Sequence, residues 1–110
     1  MNLKLISGAL GAEVSGIDLT QDVPSSTYEQ IRKLLVEHEV LFFRDQDLTA
    51  AQQYALAASF GPLQTHPAYD TVEGFPEITI LESTADKPSK IECWHSDMTF
   101  REHPPIGTVL

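Results

Sequence analysis

Short apolar and alternating runs, separated by turn residues, dominate the pattern of this chain and predict strands. Residues 3–6 and 12–15 alternate between polar and apolar side chains on either side of a glycine-containing turn, which predicts a hairpin. Residues 40–43 are a continuous apolar run bounded by charge, and this predicts a strand buried on both faces in the middle of a sheet. Two further apolar runs predict strands at residues 78–81 and 106–110.

Two stretches instead repeat their apolar positions at helical spacing, and they predict helices over residues 27–38 and 50–60. Each is preceded by a capping-box pattern, a hydroxyl residue followed three positions later by Glu or Gln. Ser26 with Glu29 marks the first start, and Thr49 with Gln52 marks the second. A Gly-Pro pair at residues 61–62 ends the second helix.

The remaining segments have no clear period. Residues 63–75 predict a loop that contains His66 and Tyr69, and residues 83–92 are polar and interrupted by Pro88, which predicts a mobile connection or lid. This connection leads to the Trp-His-Ser-Asp stretch at residues 94–97, which carries the strongest candidates for chemistry.

Composition narrows the class of protein. A length of 110 residues with 42% apolar and 21% charged residues fits one globular domain. The net charge of -9, with only seven Lys and Arg residues, argues against a nucleic acid or an anionic membrane as partner. The single cysteine, Cys93, cannot form an intramolecular disulfide, and the sequence shows neither a signal peptide nor a membrane span, so we expect a cytoplasmic location.

His95 and Asp97 are the candidate metal ligands. In a strand, residues two apart project to the same face, so this spacing brings an imidazole and a carboxylate to one spot. They would form part of a 2-His-1-carboxylate site, which suits non-haem Fe(II), and Trp94 and Phe100 would supply apolar walls. The residues alone leave a second interpretation open, in which a surface histidine simply hydrogen-bonds a nearby carboxylate.

Other candidates also have two interpretations. His66 could donate to an anionic substrate with Tyr69 as an aromatic wall, or it could be an exposed loop histidine beside a tyrosine packed on the core. We interpret His38 as stabilising a helix end, His103 as a solvated loop residue, and Cys93 as a small buried residue without an activating base.

The order of several segments resembles the taurine dioxygenase family of Fe(II)- and 2-oxoglutarate-dependent oxygenases. The likeness rests on residues 11–19, 40–46, 60–63 and 94–100, and it covers nearly the whole chain. Proteins of that family are more than twice as long as this chain. The resemblance therefore implies that residues 1–110 are the N-terminal part of a single dioxygenase domain, with the remainder of its barrel absent from this chain.

The resemblance implies a mixed α/β, mainly β fold with a double-stranded β-helix (jelly-roll) core and N-terminal helices, incomplete in this chain. His95 and Asp97 become two of three iron ligands. With Fe(II) and 2-oxoglutarate as cosubstrate, O₂ would hydroxylate a small organic anion and release succinate and CO₂. The third ligand and the 2-oxoglutarate-binding residues would come from the absent part of the domain. As partners of this chain we expect either that missing C-terminal segment or further copies of the chain in a homo-oligomer.

The resemblance also implies substrate residues. His66 and Tyr69 look like the taurine-binding pair, and the backbone N–H of Met98 takes the place of an amide that contacts the sulfonate. Where taurine enzymes carry an asparagine that contacts the substrate amine, this chain has Ile91, which cannot form such a hydrogen bond. We therefore expect a sulfonate less polar than taurine, or an alkyl sulfate. The alternative is a truncated, catalytically silent binding or interaction domain of the same fold.

Overall fold

A computed structural model describes residues 1–89, 91 and 93–110. They form two compact units, Met1–Gly61 and Pro62–Leu110, which are described in turn. The prediction of one domain over residues 1–110 stays a prediction. The predicted connection at residues 83–92 includes Lys90 and Glu92, which lie outside the described residues.

The first unit contains a three-stranded sheet in the order β1-β2-β3. Its strands are β1 (Asn2–Leu5), β2 (Ala12–Ser15) and β3 (Leu41–Phe43). β1 pairs antiparallel with β2, so the predicted hairpin is confirmed, with its first strand one residue earlier than expected. β3 pairs parallel with β2, a connection that needs a crossover segment and here includes the first helix.

The position predicted for β3 is wrong. Among the described residues β3 pairs only with β2, so it lies at an edge of this sheet rather than in the middle. Phe42 is 38% exposed, and the Arg44 guanidinium lies 5.1 Å from the centre of its ring. A short apolar run specifies a strand but not its neighbours, and in this sheet β1 takes the other side of β2.

Two helices complete the first unit, α1 (Ser25–His38) and α2 (Ala50–Ala58). The capping box predicted at Ser26 is wrong, because the N-cap is Pro24 and no side chain caps this end. The box predicted at Thr49 is confirmed. The Thr49 hydroxyl accepts from the Gln52 N–H at 3.3 Å, and the Thr49 N–H donates to the Gln52 side-chain oxygen at 2.8 Å.

The core of this unit is small and apolar. Its buried side chains come from β2, α1, α2 and the loop after β2: Ala12, Val14, Leu19, Ile31 and Leu56.

The Gln46 side chain forms hydrogen bonds that link the loop after β2 to the segment after β3. Its carbonyl oxygen accepts from the Leu19 N–H at 2.7 Å, and its amide nitrogen donates to the Ile17 and Arg44 carbonyls at 3.2 and 2.9 Å. These bonds satisfy backbone groups that no strand ladder reaches.

The second unit contains a two-stranded antiparallel sheet of β4 (Thr71–Val72) and β5 (Phe75–Thr79). The sequence predicted a loop over residues 63–75 and a strand over 78–81, so β4 was missed and β5 begins earlier than expected. A strand of two residues is too short to show a period. Gly74, with φ +80°, supplies the left-handed conformation that a tight hairpin turn requires.

The strand predicted at residues 106–110 and the strand geometry assumed for His95 and Asp97 are both wrong for the part of the chain that the structure describes. Residues 94–96 have no regular structure, 97–100 form a turn, and none of the described strands includes residues 106–110. An apolar run alone does not determine a strand, because strand formation depends on tertiary context that the local sequence does not specify. Across the described ranges, no helix has the length and apolar character needed to span a membrane.

Candidate metal and substrate site

His95 and Asp97 meet at the start of the 97–100 turn. The His95 Nε2 and Asp97 Oδ1 atoms lie 3.1 Å apart. The expected convergence is thus present, but it does not come from the alternation of a strand, because residues 94–96 are irregular and Asp97 begins a turn. The chain reversal brings the two side chains together.

A backbone contact fixes which nitrogen of His95 is available. The Cys93 carbonyl lies 2.9 Å from Nδ1 and can only accept, so Nδ1 carries a proton and donates. In the neutral imidazole the lone pair is then on Nε2, the atom facing Asp97. The pKa of His95 is raised above its ordinary value, first by the Cys93 hydrogen bond and then by the charge and hydrogen bond of Asp97, while partial desolvation acts in the opposite direction.

This arrangement fits a divalent metal. Adjacent ligands of an octahedral ion with bonds of about 2.1 Å are separated by about 3.0 Å, close to the observed 3.1 Å. The donor set, one imidazole nitrogen and one carboxylate oxygen, also suits iron. Both side chains are accessible, with 47% of His95 and 68% of Asp97 exposed. Within residues 1–89, 91 and 93–110, no group of three His, Cys, Asp or Glu side chains could hold a metal.

His66 and Tyr69 form a second pair. Their ring centres lie 4.6 Å apart at an angle of 46°. The Ala68 N–H donates to Nδ1 of His66 at 3.1 Å, so in the neutral imidazole the proton is on Nε2, which becomes a donor. Tyr69 is 43% exposed and is not packed on a core. The Phe100 ring meets His66 edge-on, with centres 6.3 Å apart.

Met98 lies in the turn that Asp97 begins. It is half-buried and has a φ of +56°, a left-handed conformation that is uncommon for a residue other than glycine. The Arg101 N–H donates to the Met98 carbonyl at 3.0 Å and closes the turn. Asp97, Met98 and Phe100 are therefore held within one reversal of the chain.

Two of the sequence-based expectations, those for Cys93 and Trp94, are wrong. Cys93 is exposed rather than buried, and Trp94 is fully exposed, so among the described residues it forms no wall. His38 is at the end of α1 as expected, with its Nε2 buried and no hydrogen-bond partner among the described residues. His103 is an exposed loop residue, as expected, and its backbone carbonyl accepts from the Gln64 side chain at 3.1 Å.

Sequence reasoning missed two side chains in this unit, Gln64 and Arg101. Each donates to a backbone carbonyl far away in the sequence, Gln64 to His103 and Arg101 to Thr65. No periodicity or motif identifies such contacts, because a carbonyl acceptor is available at every residue.

Comparison with known proteins identifies the family of this chain. Residues 2–110 match the family described as taurine catabolism dioxygenase TauD, TfdA family. The chain belongs to this family, as the resemblance in its motifs indicated.

Two relatives illustrate the range of the family. The chain is 37% identical to an alkylsulfatase of Acinetobacter baylyi over 100% of its own length and 34% of the relative's. It is 33% identical to an alpha-ketoglutarate-dependent sulfate ester dioxygenase of Pseudomonas putida, over 96% of this chain and 35% of that one. The chain thus spans about a third of the length of these relatives.

Solved structures give the same assignment. A taurine dioxygenase from Burkholderia xenovorans aligns with a TM-score of 0.61 and 42% identity, over 68% of this chain and 27% of that one. A structure of AAD-2 in complex with Mn(II) and N-oxalylglycine aligns with a TM-score of 0.56 and 27% identity, over 61% and 27%. The aligned part of the chain therefore has the fold of the corresponding part of these structures.

Proposed function

We propose that the protein carrying this sequence is an Fe(II)- and 2-oxoglutarate-dependent oxygenase that hydroxylates a small organic anion, a sulfonate or an alkyl sulfate. The observation that carries the proposal is the His95–Asp97 pair at 3.1 Å, with Nδ1 of His95 committed to a backbone carbonyl. A hydrogen bond from the nitrogen that does not bind the metal orients an imidazole and fixes its tautomer.

His95 and Asp97 would hold the iron through Nε2 and Oδ1. When bound with 2-oxoglutarate, the iron supplies the oxidising power that converts a substrate C–H bond into C–OH with O₂. The contribution of this chain is to present two ligands from a fixed turn and to place the substrate beside them. The third ligand and the residues that bind 2-oxoglutarate would belong to the part of the protein that corresponds to the remaining length of the relatives.

His66 and Tyr69 would bind the anionic group. With Nδ1 occupied by the Ala68 N–H, Nε2 of His66 presents a proton to an oxygen of a sulfonate or sulfate, and the Tyr69 hydroxyl adds a second donor. The backbone N–H of Met98 would contribute a third, which its left-handed conformation would orient. Neutral donors suit a ligand that carries its charge on several equivalent oxygens.

Ile91 favours a substrate whose other end is apolar. An isoleucine leaves an amine without a hydrogen-bond partner, and discrimination on this basis is strong. It is 62% exposed, and the side chain of Phe100 is 68% exposed, so apolar surface is available in this unit for an alkyl chain. The relatives named as an alkylsulfatase and a sulfate ester dioxygenase support the same substrate class.

The products follow from the chemistry of the hydroxylated carbon. A carbon that carries both a hydroxyl and a sulfate ester collapses to an aldehyde and inorganic sulfate, and the corresponding sulfonate gives an aldehyde and sulfite. We also propose that the sheet of the second unit is part of a jelly-roll whose other strands would lie in a segment that corresponds to the remaining length of the relatives. That segment could be covalently continuous or could associate with this one.

Anaerobic titration tests the site before any turnover. Fe(II) and 2-oxoglutarate added to the complete protein should give the weak visible charge-transfer band expected for this family, and admission of O₂ should form succinate. If the alternative of a silent binding domain holds, neither the band nor succinate appears, and the proposed activity is wrong.

A further inference from the structure

Side-chain hydrogen bonds join two segments of the second unit that are far apart in the sequence. The Gln64 side-chain amide donates to the His103 carbonyl at 3.1 Å. The next residue, Thr65, accepts from the Arg101 guanidinium at 2.9 Å. We refer to these two hydrogen bonds as the clamp. It replaces a strand ladder with two side-chain donors, since no described strand includes either segment.

The clamp lies beside the candidate substrate residues. His66 follows Thr65 directly, and its ring meets the edge of Phe100, the residue before Arg101. Arg101 also closes, through its own N–H, the turn that Asp97 begins. One arginine is therefore bonded at its backbone to the turn that carries a candidate metal ligand, and at its side chain to the segment that carries a candidate substrate ligand.

The residue types suggest a positioning role rather than simple packing. The Arg101 side chain is half-buried, and its planar fork loses less freedom per hydrogen bond than a lysine would. Gln64 is placed so that its carbonyl oxygen is buried, and no donor reaches that atom among the described residues. Burying an unpaired oxygen is unfavourable. An apolar side chain would fill this space at less cost, but it would lose the bond to His103.

We propose that Arg101 and Gln64 are positioning residues that hold His66 against the turn containing Asp97, and so set the affinity for the anionic substrate. The inference rests on the proposed function, because it assigns His66 to substrate binding. It predicts that loss of the clamp affects the substrate and leaves the binding of metal and 2-oxoglutarate unchanged.

Steady-state kinetics of the complete protein test this. Arg101→Met should raise KM for an alkyl sulfate by about 10-fold, because a small misplacement of a binding group has a large effect, while KM for 2-oxoglutarate stays unchanged. Gln64→Leu should act in the same direction. The double variant should fall short of the product of the two single effects, because both bonds hold the same segment.

Two further variants distinguish positioning by the clamp from a direct effect of positive charge on the anion. Lys33→Met removes a positive charge from an exposed position on α1 and should leave both KM values unchanged. Arg101→Lys keeps the charge but loses the fork, so it should restore only part of the substrate affinity. The proposal is overturned if Arg101→Lys restores affinity fully while Gln64→Leu has no effect, since Arg101 then acts directly on the anion. It is also overturned if both KM values rise together.

NMR of the imidazole signals tests the clamp without turnover. The centre of the His66 ring lies 6.3 Å from that of Phe100, a residue of the turn, so the His66 chemical shifts report the placement of His66 against the turn. Arg101→Met should move the His66 signals, and Lys33→Met should not. Unchanged His66 signals in Arg101→Met would rule out the clamp whether or not the protein is an oxygenase. Moved signals in a protein without 2-oxoglutarate turnover would support the clamp and contradict only the proposed function.

Discussion

His95 and His66 present the same ring nitrogen, Nε2, in opposite protonation states when each imidazole is neutral. In His95 the Cys93 carbonyl accepts from Nδ1 and leaves the lone pair on Nε2, whereas in His66 the Ala68 N–H donates to Nδ1 and leaves the proton on Nε2. One imidazole is thereby prepared to bind a cation and the other to donate to an anion. Two histidines, each with its tautomer determined by one backbone contact, thus supply the metal-binding lone pair and the hydrogen-bond donor that the proposed reaction needs.

Removal of either candidate ligand should abolish iron-dependent turnover. We expect His95→Ala and Asp97→Ala each to lower kcat/KM by more than about 100-fold, because even groups that merely orient a ligand are worth about 10 to 100-fold. Both side chains are substantially exposed, so the free energy of unfolding should change by less than about 0.5 kcal/mol. Succinate assays and urea denaturation measure the two quantities. Glu29→Ala, in an exposed position on α1, is the control, and retained turnover in either ligand variant contradicts the assignment.

Ile91→Asn should change substrate preference. The new amide can pair with an amine, so kcat/KM for taurine relative to an alkyl sulfate should increase by about 10-fold or more. Ile106→Asn is a matched control, because Ile106 is also an exposed isoleucine of the second unit. The exposed fraction is 76% for Ile106 and 62% for Ile91. Competition between the two substrates gives the ratio directly. If wild-type protein already prefers taurine, the role assigned to Ile91 is wrong.

The two capping-box patterns should respond differently to the same kind of substitution. Thr49→Ala removes an observed cap of α2 and should cost about 1 kcal/mol of stability. Ser26→Ala should cost almost nothing, since Ser26 lies inside the first turn of α1 and caps no N–H. Urea denaturation midpoints provide the comparison. Equal losses for the two variants would show that the N-terminus of α1 is not at Pro24.

Asp18 should give a small acid dependence of stability. Its pKa is lowered from the ordinary value of 3.8, first by the Thr20 hydroxyl at 2.6 Å and then by the Thr20 N–H at 2.9 Å. A carboxyl with a lower pKa in the folded state stabilises the protein above its unfolded pKa, and this contribution is lost as the pH falls from that value through the folded pKa. Carboxyl NMR titration should show the Asp18 pKa rising toward its ordinary value in Thr20→Val. The Asp18 pKa should be unaffected by Thr71→Val. An unchanged Asp18 pKa in Thr20→Val would contradict the hydrogen bond between Asp18 and the Thr20 hydroxyl.

The elements of the fold that depend on neighbouring residues could be predicted from the sequence. The β1–β2 hairpin, both helices and the Thr49 cap follow from local patterns, and the structure contains them. Ser26 shows the limit of such patterns, because the same residue spacing forms a cap only where the chain enters the helix at that position. Here Pro24 fixes the entry two residues earlier.

Features that depend on contacts between residues far apart in the chain could not be predicted from the sequence. The edge position of β3 is determined by which strand takes each side of β2, and the pairing of Arg101 with Thr65 joins residues 36 apart. For His95 and Asp97 the expected pair lies together, but a turn rather than a strand produces it. Their role as iron ligands came from the order of motifs along the chain, and it remains a proposal.

The ratio of products formed from an alkyl sulfate is the decisive test of the proposed reaction. The complete protein, supplied with Fe(II), 2-oxoglutarate and O₂, should form succinate, aldehyde and inorganic sulfate in a ratio of about one to one to one, because each cosubstrate oxidation drives one hydroxylation. Omission of Fe(II) or 2-oxoglutarate should abolish all three products. Sulfate release that continues without 2-oxoglutarate, or the absence of succinate with sulfonates and sulfates alike, would contradict the proposed oxygenase activity.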